Sequence, residues 1–537
     1  MLLTPIILFV ILMILLYVPP VQNFIRKQAT AIASDATGMN ISVERIDLRF
    51  PLNLLVRGVQ VVQPGSDTAD IQHPDTLLNL GSLNVRVQAW PLLKGRVEVD
   101  DITLQRVAVN SSGLLEGMRI KGTLGRFFLA SHGIDLNKED AVLNRVELSD
   151  THVQVMLADT TETPEDTTET ALNWRVALHN LKLKNVSVDL QMPLDSMSLA
   201  ATIGDASIED AEADLKRQFY GWRKFALTGT SVNYDTGTAV PAEGFDASHI
   251  ALRDIRIGID SVMTCGRDMN AVIREFSMYD RSGLTVTSLT GRLFADSAVI
   301  RVPYLQLKTP HSEMNLTAQT YWKLVDIPTT GHLSARFNAN IGKQDVLLFA
   351  GGLPETFKEA YPFRPLVIHA GTEGNLKQMQ ISRFTAELPG AFFLSGGGEL
   401  WNLTDSLTRN GGLDFEMQTQ DLNFLTGLTG VTPDGSIIVP DSMNLVARLG
   451  LDGPQCNAIL KIKEGEGSLG LDAAYNLNTE VYHADLAIDA LQLHHFLPKD
   501  SIYTLTARVT AKGQGVDVAS HKTIARVEAK LDELLSL

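Results

Sequence analysis

Alternation of apolar and polar residues, kept up almost from end to end, constrains this chain most. In NVRVQAWPLLKGRVEVDDITL (84–104), Val85, Val87 and Ala89 alternate with Arg86 and Gln88. Val97 and Val99 then alternate with Arg96, Glu98 and Asp100, and Ile102 and Leu104 continue. Period two is the signature of a strand with one dry and one wet face. ISVERIDLRF, NWRVALHNLKLKNVSVDLQM, HIALRDIRIGI and AVIRVPYLQLK read the same way. Breaks of a few residues, often Asn, Asp, Gly or Pro, part the runs, giving on the order of thirty segments at all-β spacing. No fixed-length copy is visible, so the repeat is one of pattern rather than letters. The expected fold is mainly β: a long curled sheet forming an apolar groove, solenoid-like, with few short helices.

Three stretches depart from the pattern. Residues 1–18, MLLTPIILFVILMILLYV, carry no charge and reach the lower limit of a membrane span. No basic n-region precedes them, and no small-x-small site follows closely, so an uncleaved signal anchor is the better reading than a cleaved leader. The expected membrane-anchor residues include Ile6, Leu8, Val10, Leu12, Leu15 and Leu16. Arg26 and Lys27 follow the span, which by the positive-inside rule places the C-terminal side in the cytoplasm. The abrupt start is what a missing basic leader would produce. Residues 19–38 read as a helix after the anchor, with Val21, Phe24, Ile25 and Ile32 on one face and Gly38 as C-cap. Residues 344–363 and 421–430 are the other helical candidates, and DTTETPEDTTET (159–170) is an exposed acidic loop. The β region divides as 39–350 and 351–537, with a weak boundary near 351–365. TIARVEAKLDELLSL at the end is a strand or a short amphipathic helix. It stops without the polar cap that stacked arrays need, so an N-terminal portion of a longer chain is expected.

Composition removes several classes of function. The net charge of −16 and the lack of any long basic run argue against a nucleic-acid partner. Cys265 and Cys456 are far apart and have no metal-ligand spacing. A single bridge between them is open, but two separate thiols fit better. No P-loop, G-x-S-x-G or H-E-x-x-H occurs. His494-His495 would point to opposite faces of a strand and lack a third ligand. Trp174, Trp222, Trp322 and Trp401 read as gap fillers between strands. Neither an enzyme nor a cofactor is expected.

A long single sheet leaves its dry face as a trough. About thirty strands spaced about 4.8 Å apart make it on the order of 140 Å long. Acyl chains suit such a lining, since each buried methylene is worth about 0.8 kcal/mol. The candidate lining is Leu83, Val85, Val87, Val97, Val99, Ile102, Leu104, Trp174, Val176, Leu178, Val186, Val188 and Leu190. Two other readings stay open. One is a scaffold whose strand edges help outer-membrane barrels insert. The other is an anchored β-sandwich surface protein.

The anchor, the short helix, TGMNISVERIDLRFPLNLLVRGVQV (37–61) and LNVRVQAWPLLKGRVEVDDITLQRVAV (83–109) together resemble the opening of the AsmA-like/TamB family. The turn Pro91-Leu92-Leu93-Lys94-Gly95 is the most specific element, resembling that family's PLLxG(K/R)(V/I) turn. GQGVDVASHKTIARVEAKL (513–531) is also similar to TamB-type repeats. The resemblance covers about the first 110 residues as motif and the rest as pattern. It implies a single-pass inner-membrane protein of a Gram-negative bacterium, with its bulk in the periplasm. It implies a taco-shaped β-groove that moves phospholipids between the two membranes and supports outer-membrane biogenesis and protein secretion. The implied partners are phospholipid acyl chains, the inner membrane and, through a C-terminal region not in this chain, an outer-membrane barrel protein. The family's orientation opposes the charge reading and is preferred here.

Overall fold

The computed structural model describes residues 19–49, 52–63, 76–88, 99–111, 117–135, 138–157, 173–237, 239–429, 435–500, 502–515 and 522–533. The anchor residues Ile6, Leu8, Val10, Leu12, Leu15 and Leu16, the turn residues Pro91, Leu92, Leu93 and Gly95, and Val97 all lie outside these. So does the acidic loop 159–170. Among the described residues, no helix is long and apolar enough to cross a membrane.

Strands make up 67% of the structure, which is mainly β with few helices. The chain forms two compact units, Met1–Pro241 with Asp246–Arg281, and Ala242–Phe245 with Ser282–Leu537. The stretch 351–365 lies inside the second. The first unit opens with helix α1 (Pro19–Thr37), ended by Gly38 at φ +67°, whose N–H bonds Ser34 O at 2.9 Å. This is the expected helix and cap. Eleven strands follow: β1 (Asn40–Arg49), β2 (Asn53–Val62), β3 (Thr76–Val87), β4 (Val99–Asn110), β5 (Met118–Asp135), β6 (Asp140–Leu157), β7 (Arg175–Met192), β8 (Met197–Asp214), β9 (Phe219–Thr236), β10 (His249–Cys265) and β11 (Asp268–Asp280). Each pairs with its sequence neighbours. All these pairs are antiparallel except β6–β7, which is parallel. A parallel step needs a crossover of a dozen or more residues, and residues 158–174 supply the length.

Helix α1 lies along β1. Gln22 Nε2 donates to Leu48 O at 3.0 Å, and Arg26 Nη1 donates to Glu44 O at 2.6 Å. The helix thereby supplies side-chain donors to backbone carbonyls of β1.

The second unit holds β12 (Thr285–Val286), β13 (Ser288–Ala295), β14 (Val299–Lys308), β15 (Glu313–Tyr321), β16 (Leu333–Ile341), β17 (Leu366–Asn375), β18 (Gln378–Leu388) and β19 (Phe392–Trp401). It continues with β20 (Asn410–Thr419), β21 (Asn444–Asp452), β22 (Gln455–Glu464), β23 (Gly467–Asn476), β24 (Val481–Leu491), β25 (Ile502–Gln514) and β26 (Lys522–Glu533). From β13 onward, every neighbouring pair is antiparallel. Trp322–Asp326 is a short helix that the sequence did not place. Three other helical stretches fall where the sequence placed them, at Lys343–Leu348, Glu355–Ala360 and Asn423–Thr429. They form a plug in which Phe357, Tyr361, Phe424, Leu422, Leu388 and Ala391 are buried together. The end segment TIARVEAKLDE is a strand rather than a helix. His494 and His495 sit on a short helix, Leu493–Phe496, not on a strand as expected. The helical turn lets their rings approach to 4.1 Å, His494 stacks on Tyr503, and His495 Nδ1 meets Glu464 at 2.6 Å. Both cysteines are free.

Candidate functional site: an apolar face with a crease

In the first unit the register lines apolar residues up from strand to strand. One row runs Ile46, Val56, Leu83, Leu104, Phe127, Leu148, Leu183, Ala206, Leu227 and Ile257, one residue from each of β1 to β10. A second, on the same face, includes Leu54, Val85, Ile102, Leu129, Val146, Leu181, Ile208, Phe225 and Ile259. At about 4.8 Å per strand, each row is about 40 Å long.

A third row, Leu80, Val107, Leu124, Thr151 and Val186, shares this face only because the alternation slips. Leu104 and Val107 are three residues apart, so an unbroken strand would put them on opposite faces. Between them Arg106 has φ +55°. A left-handed residue turns the chain so that the next side chain returns to the face just left, as in a β-bulge. The same device recurs at Gly58, Asp150, Asn185, Gly229 and Asp254, with φ between +52° and +60°. Register places Gly58, Gly81, Arg106, Gly125, Asp150, Asn185, Gly204 and Gly229 in one line across β2 to β9, with Asp254 continuing it on β10. Where the residue in line is not left-handed it is glycine, and the reason is space. A Cβ on Gly125 would stand 2.7 Å from Asp150 Cβ, and one on Gly204 would stand 2.7 Å from Gly229 O.

Burial differs between the two sides of this crease. On the apolar side, the residues flanking the line are shielded: Leu80, Thr151, Val186, Ala206, Thr230 and Ile255 are each 8% exposed or less. On the opposite side, Arg106, Asp150, Asn185 and Asp254 are exposed. The apolar side of the line is therefore the more shielded of the two faces. Away from the line the face opens, and Val188, two residues from Val186, is 39% exposed. A second slip, with left-handed Asp210 and Ser261, keeps Ile208 with Ala211 and Ile259 with Val262 on the same face. Its outer side is ionic. Arg223 bonds both Asp210 and Glu209, and His179 Nδ1 lies 3.2 Å from Asp210. The hydrogen bond from Arg223, and after it that from His179, holds Asp210 below the usual carboxylate range.

Of the candidate lining residues, Leu83, Val85, Val87, Val99, Ile102 and Leu104 pair across β3 and β4 on this face. The shift from odd to even positions between Val99 and Ile102 is absorbed by an irregularity opposite Arg86 and Val87. Val176, Leu178, Val186, Val188 and Leu190 lie on the same face of β7, carried across two slips. Trp174 precedes β7, and its carbonyl accepts from Leu215 N at 3.0 Å. Sequence reasoning missed Phe127, Leu129, Leu148, Phe225 and Ile257. The signal was present: apolar pairs at i and i+2, then a two-residue polar step, then another such pair, as in ITLQRVAV and LKLKNVSVDL.

The second unit also carries an apolar face across register slips, as at Val302/Leu305 and Ile381/Phe384. Phe337, Ala370, Phe384, Gly396, Phe415 and Ala447 form one row in which large and small alternate. Phe384 and Phe415 meet edge-on over Gly396, with ring centroids 6.2 Å apart. Within each unit the strands pair in series and the apolar faces stay half-exposed, so neither unit forms a sandwich of two packed sheets. Among the described residues, no group of three His, Cys, Asp or Glu is placed to hold a metal.

No known protein-family profile matches the sequence, and no curated protein is significantly similar to it.

Proposed function

We propose that the apolar face of the first unit is a groove of taco shape that holds and conducts phospholipid acyl chains. We further propose that the chain is a membrane-anchored, non-enzymatic envelope protein of the AsmA-like/TamB kind, with its bulk in the periplasm of a Gram-negative bacterium. The observation that carries this reading is the set of parallel apolar rows, shielded along a crease and, among the described residues, left without a covering layer. One leaflet's tails occupy about 15 Å, half of a core about 30 Å thick. A row of about 40 Å is longer, so a tail finds similar contacts at many positions. With each methylene worth about 0.8 kcal/mol and no deep well along the row, binding is strong in sum and sliding meets little resistance. The head group stays in water where the face opens.

A photoreactive side chain at Val188, with Gln154 on the opposite face of β6 as control, tests the reading in cells. Labelled phospholipid at Val188 and not at Gln154 is expected. Label at neither position, or equally at both, overturns it. A second reading, a scaffold that offers strand edges to outer-membrane barrels, is favoured by β26. That strand pairs with β25 alone among the described residues and exposes Ile524 and Val527. A protein crosslink from the β26 edge together with an unlabelled Val188 is its signature.

A further inference from the structure

We propose that the polar face of the first unit carries a separate binding site for a phosphate-bearing anion, lined by Arg49, Arg57, Arg106 and Arg126. The four guanidinium side chains line one hollow of about 520 Å³ over β1 to β5. Register explains the convergence: Arg57, Ser82, Gln105 and Arg126 are consecutive partners across β2, β3, β4 and β5. Arg106 joins from the crease, and Arg49 from β1. Arg126 also lies over the ring of Phe128, 5.7 Å from its centroid.

What distinguishes this hollow is that it gathers into one concavity four arginines without a carboxylate partner among the described residues. Arg45, Arg86, Arg145, Arg175 and Arg223 of the same unit each meet a carboxylate within 4 Å. Among the described residues, none of the four arginines of the hollow does. Four like charges around one concavity repel each other, in a chain whose net charge is −16. An anion entering there removes the repulsion and gains forked, charge-assisted hydrogen bonds, the geometry in which guanidinium groups bind phosphate. Neutral Ser82, Asn84, Thr103 and Gln105 also line the hollow and can bond hydroxyl groups of the ligand. The site stands on the face opposite the apolar rows, so it does not depend on the lipid reading.

Calorimetric titration of the purified full chain in detergent tests this. The probes are inorganic pyrophosphate, glycerol 3-phosphate and short-chain phosphatidylglycerol, with short-chain phosphatidylcholine for comparison. The variant is R57Q/R126Q, both exposed positions, and R448Q on the second unit is the control. Salt-sensitive binding of at least one anionic probe is expected, weakened at least about tenfold in R57Q/R126Q and unchanged in R448Q. Preference for the soluble phosphates identifies a free metabolite, and preference for phosphatidylglycerol over phosphatidylcholine identifies a lipid head group. Absence of binding by all anionic probes, or equal binding by R57Q/R126Q, overturns the proposal.

Discussion

At the scale of single residues, the crease depends on positions where a side chain has no room. Gly204 faces the backbone of Gly229, and a Cβ there must displace the backbone carbonyl. Gly204→Val is expected to cost about 1–3 kcal/mol. Gly470→Val, where nothing lies within 4 Å, should change stability by less than about 0.5 kcal/mol. Urea midpoints of the two variants make the comparison. Asp296 offers a test by pH. Its carboxylate accepts from the N–H groups of Ala298 and Val299, both at 2.9 Å, and these bonds hold its pKa below 3.8. The stability it contributes is therefore present above about pH 4 and lost as pH falls through the lower folded value. Thermal midpoints followed down from pH 6 should fall less steeply below pH 4 in Asp296→Asn than in the wild type. The crease was half-legible in the sequence. The polar steps Gln105-Arg106, Ser149-Asp150 and Lys184-Asn185 look like strand ends, because Asn, Asp and short polar pairs usually mark turns. A left-handed residue inside a continuing strand has the same letters, and only the register separates the two.

At the scale of elements, the plug and the apolar face differ in what burial contributes. Leu388 is 1% exposed at the centre of the plug, whereas Val188 is 39% exposed on the face. Leu388→Ala should cost about 2–5 kcal/mol, and Val188→Ala less than about 1 kcal/mol, read from thermal or urea midpoints. The plug helices were legible, since apolar runs bounded by Gly and Pro without alternation stand out against a period-two background. The strands of the first unit were legible as alternation but not as lengths. β7 runs unbroken from Arg175 to Met192, where the letters read as three pieces. The parallel pairing of β6 with β7 left no trace, because alternation repeats identically in either direction along a strand.

At the scale of the whole molecule, the lipid reading requires the apolar rows to be continuous across strands. Val153 and Val188 face each other across β6 and β7. Replacing both with Asp should leave the β content seen by circular dichroism unchanged, because the site is open to water. It should abolish lipid labelling from a photoreactive residue at Leu104, two strands away. The apolar alternation exposed this face to sequence reasoning directly. The arginine hollow escaped it, because polar residues at alternate positions are the default wet face of any strand. Only the serial pairing of β2 with β3, β3 with β4 and β4 with β5 brings Arg57 and Arg126 to one place.

The crease also separates two dimensions of the sheet. How sharply the sheet folds is written inside each strand, in one left-handed residue or one glycine placed about midway. How far it extends is written only in the number of strands. A duplicated or deleted hairpin that keeps its own midway step joins the line without disturbing its neighbours. The first unit can therefore be lengthened or shortened by whole hairpins while the step inside each strand stays the same, much as a folded strip is cut to length.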